Sequence, residues 1–271
     1  MTASKPHRIG LLAGSGQYPI HFARGARLCG HKVVAVAIEE EADPKLADHV
    51  DEIHWAGVGH LVDILNTFRE ARVTEVVLTG KIHKTHLFNH VTLDDQMKKV
   101  IASLPRKDDV SLLCAIAREF ERTGLKLREP TAFLEDLQAA PGVLTRRSPT
   151  VAEMADVNYG FTVAKNLADL GIGQTVVVKG GVILAVEAIE GTDKTIERAG
   201  TLVPDGLVVV KVGSRNQDRR FDMPVVGMET MKVLVQSHVT VLAIDAANTV
   251  ILDRESLVEE ADRQGMSFIA V

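Results

Sequence analysis

Arg8-Ile9-Gly10-Leu11-Leu12-Ala13, followed by Gly14-Ser15-Gly16, is the stretch on which the fold turns. The mostly apolar hexamer reads as a buried strand. A helix is expected from Pro19 to about Gly30, and His31 to Ile38 is a second apolar run with Glu39-Glu40-Glu41 just beyond it. Strand, helix and strand in that order make a βαβ start, with glycines at the turn so that a ligand can approach the backbone. The third glycine of a dinucleotide fingerprint is absent, and Pro19 stands where close helix packing wants a small residue. A two-glycine turn serves a ligand or only the bend, and both readings stay open here.

The pattern continues. Glu52-Ile53-His54-Trp55 suggests a third short strand, and Leu61, Ile64, Leu65 and Phe68 share one face of a helix from about His60 to Ala71. Val76 to Thr79 is the next strand and ends in Gly80-Lys81-Ile82. Strand ends face the ligand crevice in open α/β sheets, so Lys81 is a candidate contact for phosphate or a lipid headgroup; a plain surface lysine is the alternative. His83, His86 and His90 fit one helical face but match no metal-ligand pattern and read as surface or capping histidines. Asp108 or Asp109 caps a helix through Leu112, Leu113, Ile116 and Phe120. Periodicity then weakens around Glu129-Pro130, Pro141-Gly142 and Ser148-Pro149. We therefore divide the chain into domains at 1–128 and 151–271, joined by a linker at 129–150.

In the second half, Thr150 caps a long helix from Val151 to about Leu170, closed by Gly171. The apolar runs Gln174–Lys179 and Val182–Val186 are joined by Gly180-Gly181, a hairpin signal. Glu187 and Glu190 follow, and Thr192 or Asp193 is expected to cap the next helix, leaving backbone N–H groups for an anion. The apolar run Leu207–Val212 leads to Asp218 and Asp222, with Arg219, Arg220 and Phe221 between them. Carboxylates and guanidiniums interleaved at loops suit a metal-assisted phosphate site, although a solvated charged turn is the commoner fate of such residues. Helices at Gly227–His238 and Arg254–Gln264 alternate with strands at Val239–Asp245 and Thr249–Leu252, and Ser267–Val271 closes the sheet.

The 271 residues suffice for one large domain or two smaller ones. A net charge of −5 argues against broad nucleic-acid binding. Two cysteines, Cys29 and Cys114, make neither a disulfide scaffold nor a zinc cluster and favour a reducing compartment. The residues Met1 to Pro6 lead straight into a strand, and no window approaches the roughly 18 apolar residues of a membrane span. The expectation is a cytoplasmic protein whose membrane contact, if any, is peripheral.

Ala13-Gly14-x-Gly16, Thr79-Gly80-Lys81-Ile82, the run Leu184 to Asp193, Arg198-Ala199-Gly200 and Gln217-Asp218-x-Arg220-Phe221-Asp222-x-Pro224 together resemble the LpxI family, the UDP-2,3-diacylglucosamine pyrophosphatases of lipid A biosynthesis. The match is collinear over nearly the whole chain. One departure stands out: the family carries a lysine and a proline shortly before the Gln-Asp pair, where this chain has Ser214-Arg215. That change is expected to relax the loop while keeping both acids.

The resemblance implies a two-domain α/β protein, with a Rossmann-like N-terminal domain, a family-specific α/β C-terminal domain, and the substrate between them. It implies cleavage of UDP-2,3-diacylglucosamine to UMP and 2,3-diacylglucosamine 1-phosphate with Mg²⁺. Asp218 and Asp222 would hold the metal or orient the water, with Asp222 the first choice for the essential acid and Glu190 the third catalytic candidate. Glu187, Thr192 and Asp193 are candidates for substrate contact, Arg219 and Arg220 for bracing phosphate oxygens, and Gly14, Gly16 and Lys81 for contact from the other domain. Hinge motion within 124–149, peripheral contact with the inner membrane and a homodimer complete the expectations. The rival readings are a non-catalytic binder of nucleotide sugar or lipid in the same cleft, and a nicotinamide-dependent oxidoreductase. The acid-rich second half argues against the oxidoreductase, since hydride transfer needs no cluster of acids.

Overall fold

The computed structural model describes residues 7–82, 91–104, 109–134, 137–221, 223–246 and 248–271. The chain divides into two units, Met1–Glu135 with Arg219–Phe221, and Asp136–Asp218 with Asp222–Val271. His83, His86, His90, Asp108 and Asp222, all named above, lie outside the described residues.

In the first unit the apolar runs become strands β1 (Arg8–Ala13), β2 (Lys32–Ile38), β3 (Glu52–Ala56), β4 (Glu75–Thr79) and β5 (Lys126–Arg128), interleaved with helices α1 (Tyr18–Leu28), α2 (Leu61–Glu70), α3 (Asp95–Ala102) and α4 (Asp109–Arg122). The strands form a parallel sheet in the order β3-β2-β1-β4-β5. Parallel sheets are covered on both faces, so their strands are apolar throughout rather than alternating. Ile9, Leu11 and Ala13 pack with Phe22, Ala23 and Ala26 on one face, and Leu12, Val34 and Val36 with Phe68, Val76 and Phe120 on the other. Gly10 lies directly beneath Phe68, where a Cβ would come within 2.9 Å of the ring. Strand order reverses between β1 and β4, and the crevice at the C-terminal ends of such a pair is where open α/β sheets take ligands.

Two elements of this unit have weak sequence signals. α3 is started by Asp94, whose carboxylate accepts from Met97 N–H at 2.7 Å and from Val62 N–H at 2.6 Å. The strand β5 has one buried side chain, Leu127. The stretch read as a connection also carries structure: Pro130–Phe133 is a 3-10 helix of the first unit, and β6 (Gly142–Val143) belongs to the second.

The second unit continues with α5 (Val151–Asp169), β7 (Thr175–Lys179), β8 (Val182–Val186), α6 (Thr192–Leu202), β9 (Leu207–Lys211), β10 (Val225–Val226), α7 (Met228–Gln236), β11 (Val239–Ile244), β12 (Val250–Ile251), α8 (Arg254–Arg263) and β13 (Ser267–Ala270). Its main sheet runs β6-β13-β11-β9-β7-β8, and β10 pairs separately with β12. β9, β11 and β13 are parallel, whereas β7, β8 and β6 pair antiparallel with their neighbours. The last strand thus lies inside the sheet, with β6 outside it as the edge.

Helix α5 covers one face, packing Val157 and Ala164 on Val176, Val208 and Val241. Gly160 lets it settle closely, since a Cβ there would come within 2.8 Å of Val178 and Val210. α6, α7 and α8 cover the other face through Ile196, Met231 and Leu257. Thr150 and Glu153 form a capping box at the start of α5. The hairpin forms as the sequence predicts, with both glycines in the left-handed region (φ 59° and 76°). Asp156 accepts from their N–H groups at 2.7 and 2.6 Å and ties the turn to α5. The cap of α6 corrects the expectation. Gly191, at φ 82°, occupies the N-cap, so Thr192 and Asp193 are the first helical residues rather than caps. A left-handed backbone at that corner favours glycine over a side-chain cap.

Candidate functional site

At the C-terminal edge of the first unit's sheet, the β1 turn and the end of β4 lie against each other. Gly14 N–H donates to Thr79 O at 2.9 Å, Ser15 N–H to Lys81 O at 2.8 Å, and Lys81 N–H to Ser15 O at 3.1 Å. A Cβ at Gly14 would fall 2.3 Å from the Lys81 carbonyl oxygen, so this glycine serves backbone approach between two strands. Its N–H is already used. Gly16 faces open space at φ 89°, Lys81 is exposed, and the Thr79 hydroxyl is buried with no hydrogen-bond partner among the described residues.

In the second unit, β8 ends and the chain turns through Glu187-Ala188-Ile189-Glu190-Gly191 into α6. The turn gathers its acids. The Thr192 hydroxyl lies 3.2 Å from both Glu187 oxygens and donates to that carboxylate, which also accepts from Gln174 N–H at 3.3 Å. Lys211, the last residue of β9 and only 4% exposed, donates from Nζ to Thr192 Oγ1 at 2.5 Å. Thr175 Oγ1 stands 3.2 Å from the same oxygen.

Glu190 accepts from Ala188 N–H at 3.1 Å and from the Arg198 guanidinium at 2.9 Å, with the Thr195 hydroxyl at 3.3 Å. Partial burial opposes its charge. Its own N–H, Arg198 and Ala188 N–H outweigh that burial and hold the carboxyl below the usual carboxylate range. Asp193 accepts from the Thr230 hydroxyl on α7 at 3.1 Å. Four candidates, Glu187, Glu190, Thr192 and Asp193, are thus brought to one helix start. Thr192 is 3% exposed and bridges Lys211 to Glu187.

Asp218 is half-buried on the loop that follows β9. Arg219 Nε lies 3.3 Å from Glu129, and Arg220 Nη1 lies 2.8 Å from Glu121 with its guanidinium 5.6 Å from the Phe221 ring centre. A phosphate would compete with those two glutamates for the guanidiniums. Arg215 donates through its backbone N–H to Asp169 at 2.8 Å and through its guanidinium to the same carboxylate. The Ser214-Arg215 departure therefore pins this loop to the end of α5 rather than relaxing it. A cavity of about 260 Å³ lined by Leu137, Ile251 and Asp253 to Ser256 includes none of the candidate residues.

Among the described residues no three His, Cys, Asp or Glu side chains gather as a metal cage. Mg²⁺ needs no such cage, since one or two carboxylates and the substrate phosphates commonly hold it. Asp218, a hard oxygen donor on a loop held from below, fits that requirement. Lys211 was not singled out from the sequence, and Arg198 entered only as part of the Arg198-Ala199-Gly200 motif, with no role assigned. The signal for Lys211 was a lysine closing an otherwise all-apolar strand, Leu207-Val208-Val209-Val210-Lys211.

A parallel-sheet unit followed by a mixed-sheet unit with an acid–base cluster at a helix start defines a two-domain α/β protein. The chain belongs to the LpxI family: residues 8–137 match the LpxI N-terminal domain and residues 140–269 the LpxI C-terminal domain. It is 28% identical to the UDP-2,3-diacylglucosamine pyrophosphatase LpxI of Caulobacter vibrioides over 97% of each chain. Among solved structures it is similar to the biotin carboxylase domain of Hydrogenobacter thermophilus 2-oxoglutarate carboxylase (14% identity, 71% of this chain and 40% of that one, TM-score 0.29). It is also similar to a nucleoside-diphosphate-sugar epimerase from Pseudomonas aeruginosa (20% identity, 45% and 50%, TM-score 0.22). No helix among the described residues is long and apolar enough to cross a membrane.

Proposed function

We propose that this chain hydrolyses the pyrophosphate bond of UDP-2,3-diacylglucosamine, releasing UMP and 2,3-diacylglucosamine 1-phosphate, a step of lipid A biosynthesis. The observation that carries this reading is membership of the LpxI family across both domains, together with a relative of that activity matched end to end. The chemistry suits the residues. A diphosphate resists attack by water until the charge developing on its oxygens is neutralised by preorganised cations and dipoles.

Asp218 and Asp222 are the acids we assign to the water and to Mg²⁺, and Asp222 is the essential one. When bound there, Mg²⁺ would supply electrostatic neutralisation of the diphosphate. Glu190, held in place by Ala188 N–H and Arg198, offers a fixed acceptor for a sugar hydroxyl or a water. Glu187 and Asp193 present further oxygens beside the α6 N-terminus, whose dipole favours anions. In the first unit, the strand order and the open position of Gly16 support a Rossmann-like reading, with Lys81 as the phosphate contact. The substrate's acyl chains fit a cytoplasmic enzyme with peripheral contact at the inner membrane, and a homodimer is part of the same proposal.

The test is UMP release from UDP-2,3-diacylglucosamine with Mg²⁺ and with excess chelator. Release that chelator abolishes supports the reading, whereas binding of the intact lipid with no UMP would point instead to a carrier.

A further inference from the structure

The parallel strands β9 and β11 end side by side, and a buried charge cluster lies just beyond them. Asp245 follows β11 directly, and its N–H donates to the carbonyl of Lys211 at 3.1 Å. Its carboxylate pairs with Lys165 Nζ, and both side chains are nearly buried, at 8% and 11% exposure. Asn248 Nδ2 donates to the same carboxylate at 3.0 Å. Lys165 Nζ also donates to the carbonyl of Gly213 at 2.8 Å.

One turn along α5, Asp169 takes both the backbone N–H and the guanidinium of Arg215. Positions 165 and 169 share a helix face, so one face of α5 grips the loop at two points, two residues apart. The grip is transmitted further. A Cβ at Gly213 would fall 1.8 Å from Gln217 Oε1, which means the Gln217 side chain rests on the Gly213 backbone. Both polar atoms of that carboxamide are buried without a hydrogen-bond partner among the described residues. Asp218 comes next in the chain.

A buried ion pair is weak evidence for stability, because apolar replacements of similar volume are often neutral or better. Its use here is that the ammonium holds a loop carbonyl while the carboxylate fixes the ammonium. We propose that Lys165, Asp245 and Asp169 are positioning residues that hold the Gly213–Asp218 loop so that Asp218 meets the diphosphate. This rests on the pyrophosphatase reading above. None of the three touches substrate; each acts through the loop. Misplacement of a catalytic group by about 1 Å can cost on the order of 100-fold in rate.

The test uses the full chain and a Lys165→Met/Asp245→Leu double variant, which removes both charges together so that neither is left buried alone. Amide hydrogen exchange of 213–218 is read by mass spectrometry alongside kcat and KM for UMP release. We expect exchange in 213–218 to quicken by about tenfold or more while β9 and β11 stay protected, with kcat down by about 10- to 100-fold and KM within about threefold. A merely structural role would loosen the strands as well and leave the kcat-to-KM split unmarked. Asp169→Asn, at the partly exposed end of the grip, should move both readouts in the same direction by less, and it decides the matter if the double variant does not fold. Unchanged exchange, or quickened exchange with unchanged kcat, overturns the positioning role. A wild-type chain that releases no UMP overturns the reaction itself, and the exchange data then still report whether the grip holds the loop.

Discussion

At the scale of single residues, the cluster at the start of α6 depends on one hydroxyl. Thr192 Oγ1 accepts from buried Lys211 at 2.5 Å and donates to Glu187. Thr192→Val keeps the shape and removes the acceptor, so a buried ammonium loses a charge-assisted bond; the expected cost is about 1–3 kcal/mol, read from denaturant unfolding. A second prediction concerns acid. His31 is buried before β2, and burial, then the neighbouring charge of His7, holds its pKa below the ordinary histidine value. Below about pH 6.5 the unfolded chain takes up a proton that folded His31 refuses, so stability falls from there until the folded pKa is passed. Glu75 adds a loss at lower pH: burial opposes its charge, but Arg128 and His7 hold its pKa below the usual value, and that stabilisation is present above about pH 4.5 and disappears as pH falls. His31→Asn should therefore narrow the gap between the urea midpoints at pH 7 and pH 5.5. At this scale the sequence drew attention to Glu187 and Glu190, which follow an apolar run three residues apart. It hid the Lys165–Asp245 pair, whose members lie 80 residues apart and meet only through the packing of α5 on the sheet.

At the scale of elements, what could be read depended on length and burial. β1, β2, β7 and β9 are almost wholly buried, and α2 and α4 are amphipathic, so each announces itself within a short window. α3 is eight residues long, and β5 and β6 are three and two; their places are set by neighbours distant in sequence rather than by local pattern. The Gly180-Gly181 hairpin was legible because only a left-handed turn joins two adjacent apolar strands so tightly. Its tie to α5 was not legible. Asp156→Ala removes the acceptor for both turn N–H groups and should cost about 1–3 kcal/mol, again by denaturant unfolding. Loss of less than about 0.5 kcal/mol would show that solvent satisfies those groups equally well.

At the scale of the whole molecule, two α/β units succeed one another along the chain, and Arg219–Phe221 belongs with the first although its flanks belong with the second. Asp218 and Asp222 bracket that excursion, which explains why their loop could be recognised as a motif but not built from periodicity. The account stands or falls on cleavage of the diphosphate. Purified chain should release UMP from UDP-2,3-diacylglucosamine in the presence of Mg²⁺, and Asp222→Ala, folded as judged by its unfolding transition, should lose that release by about 100-fold or more. Absence of UMP from the wild-type reaction, or near-wild-type release by Asp222→Ala, would contradict it.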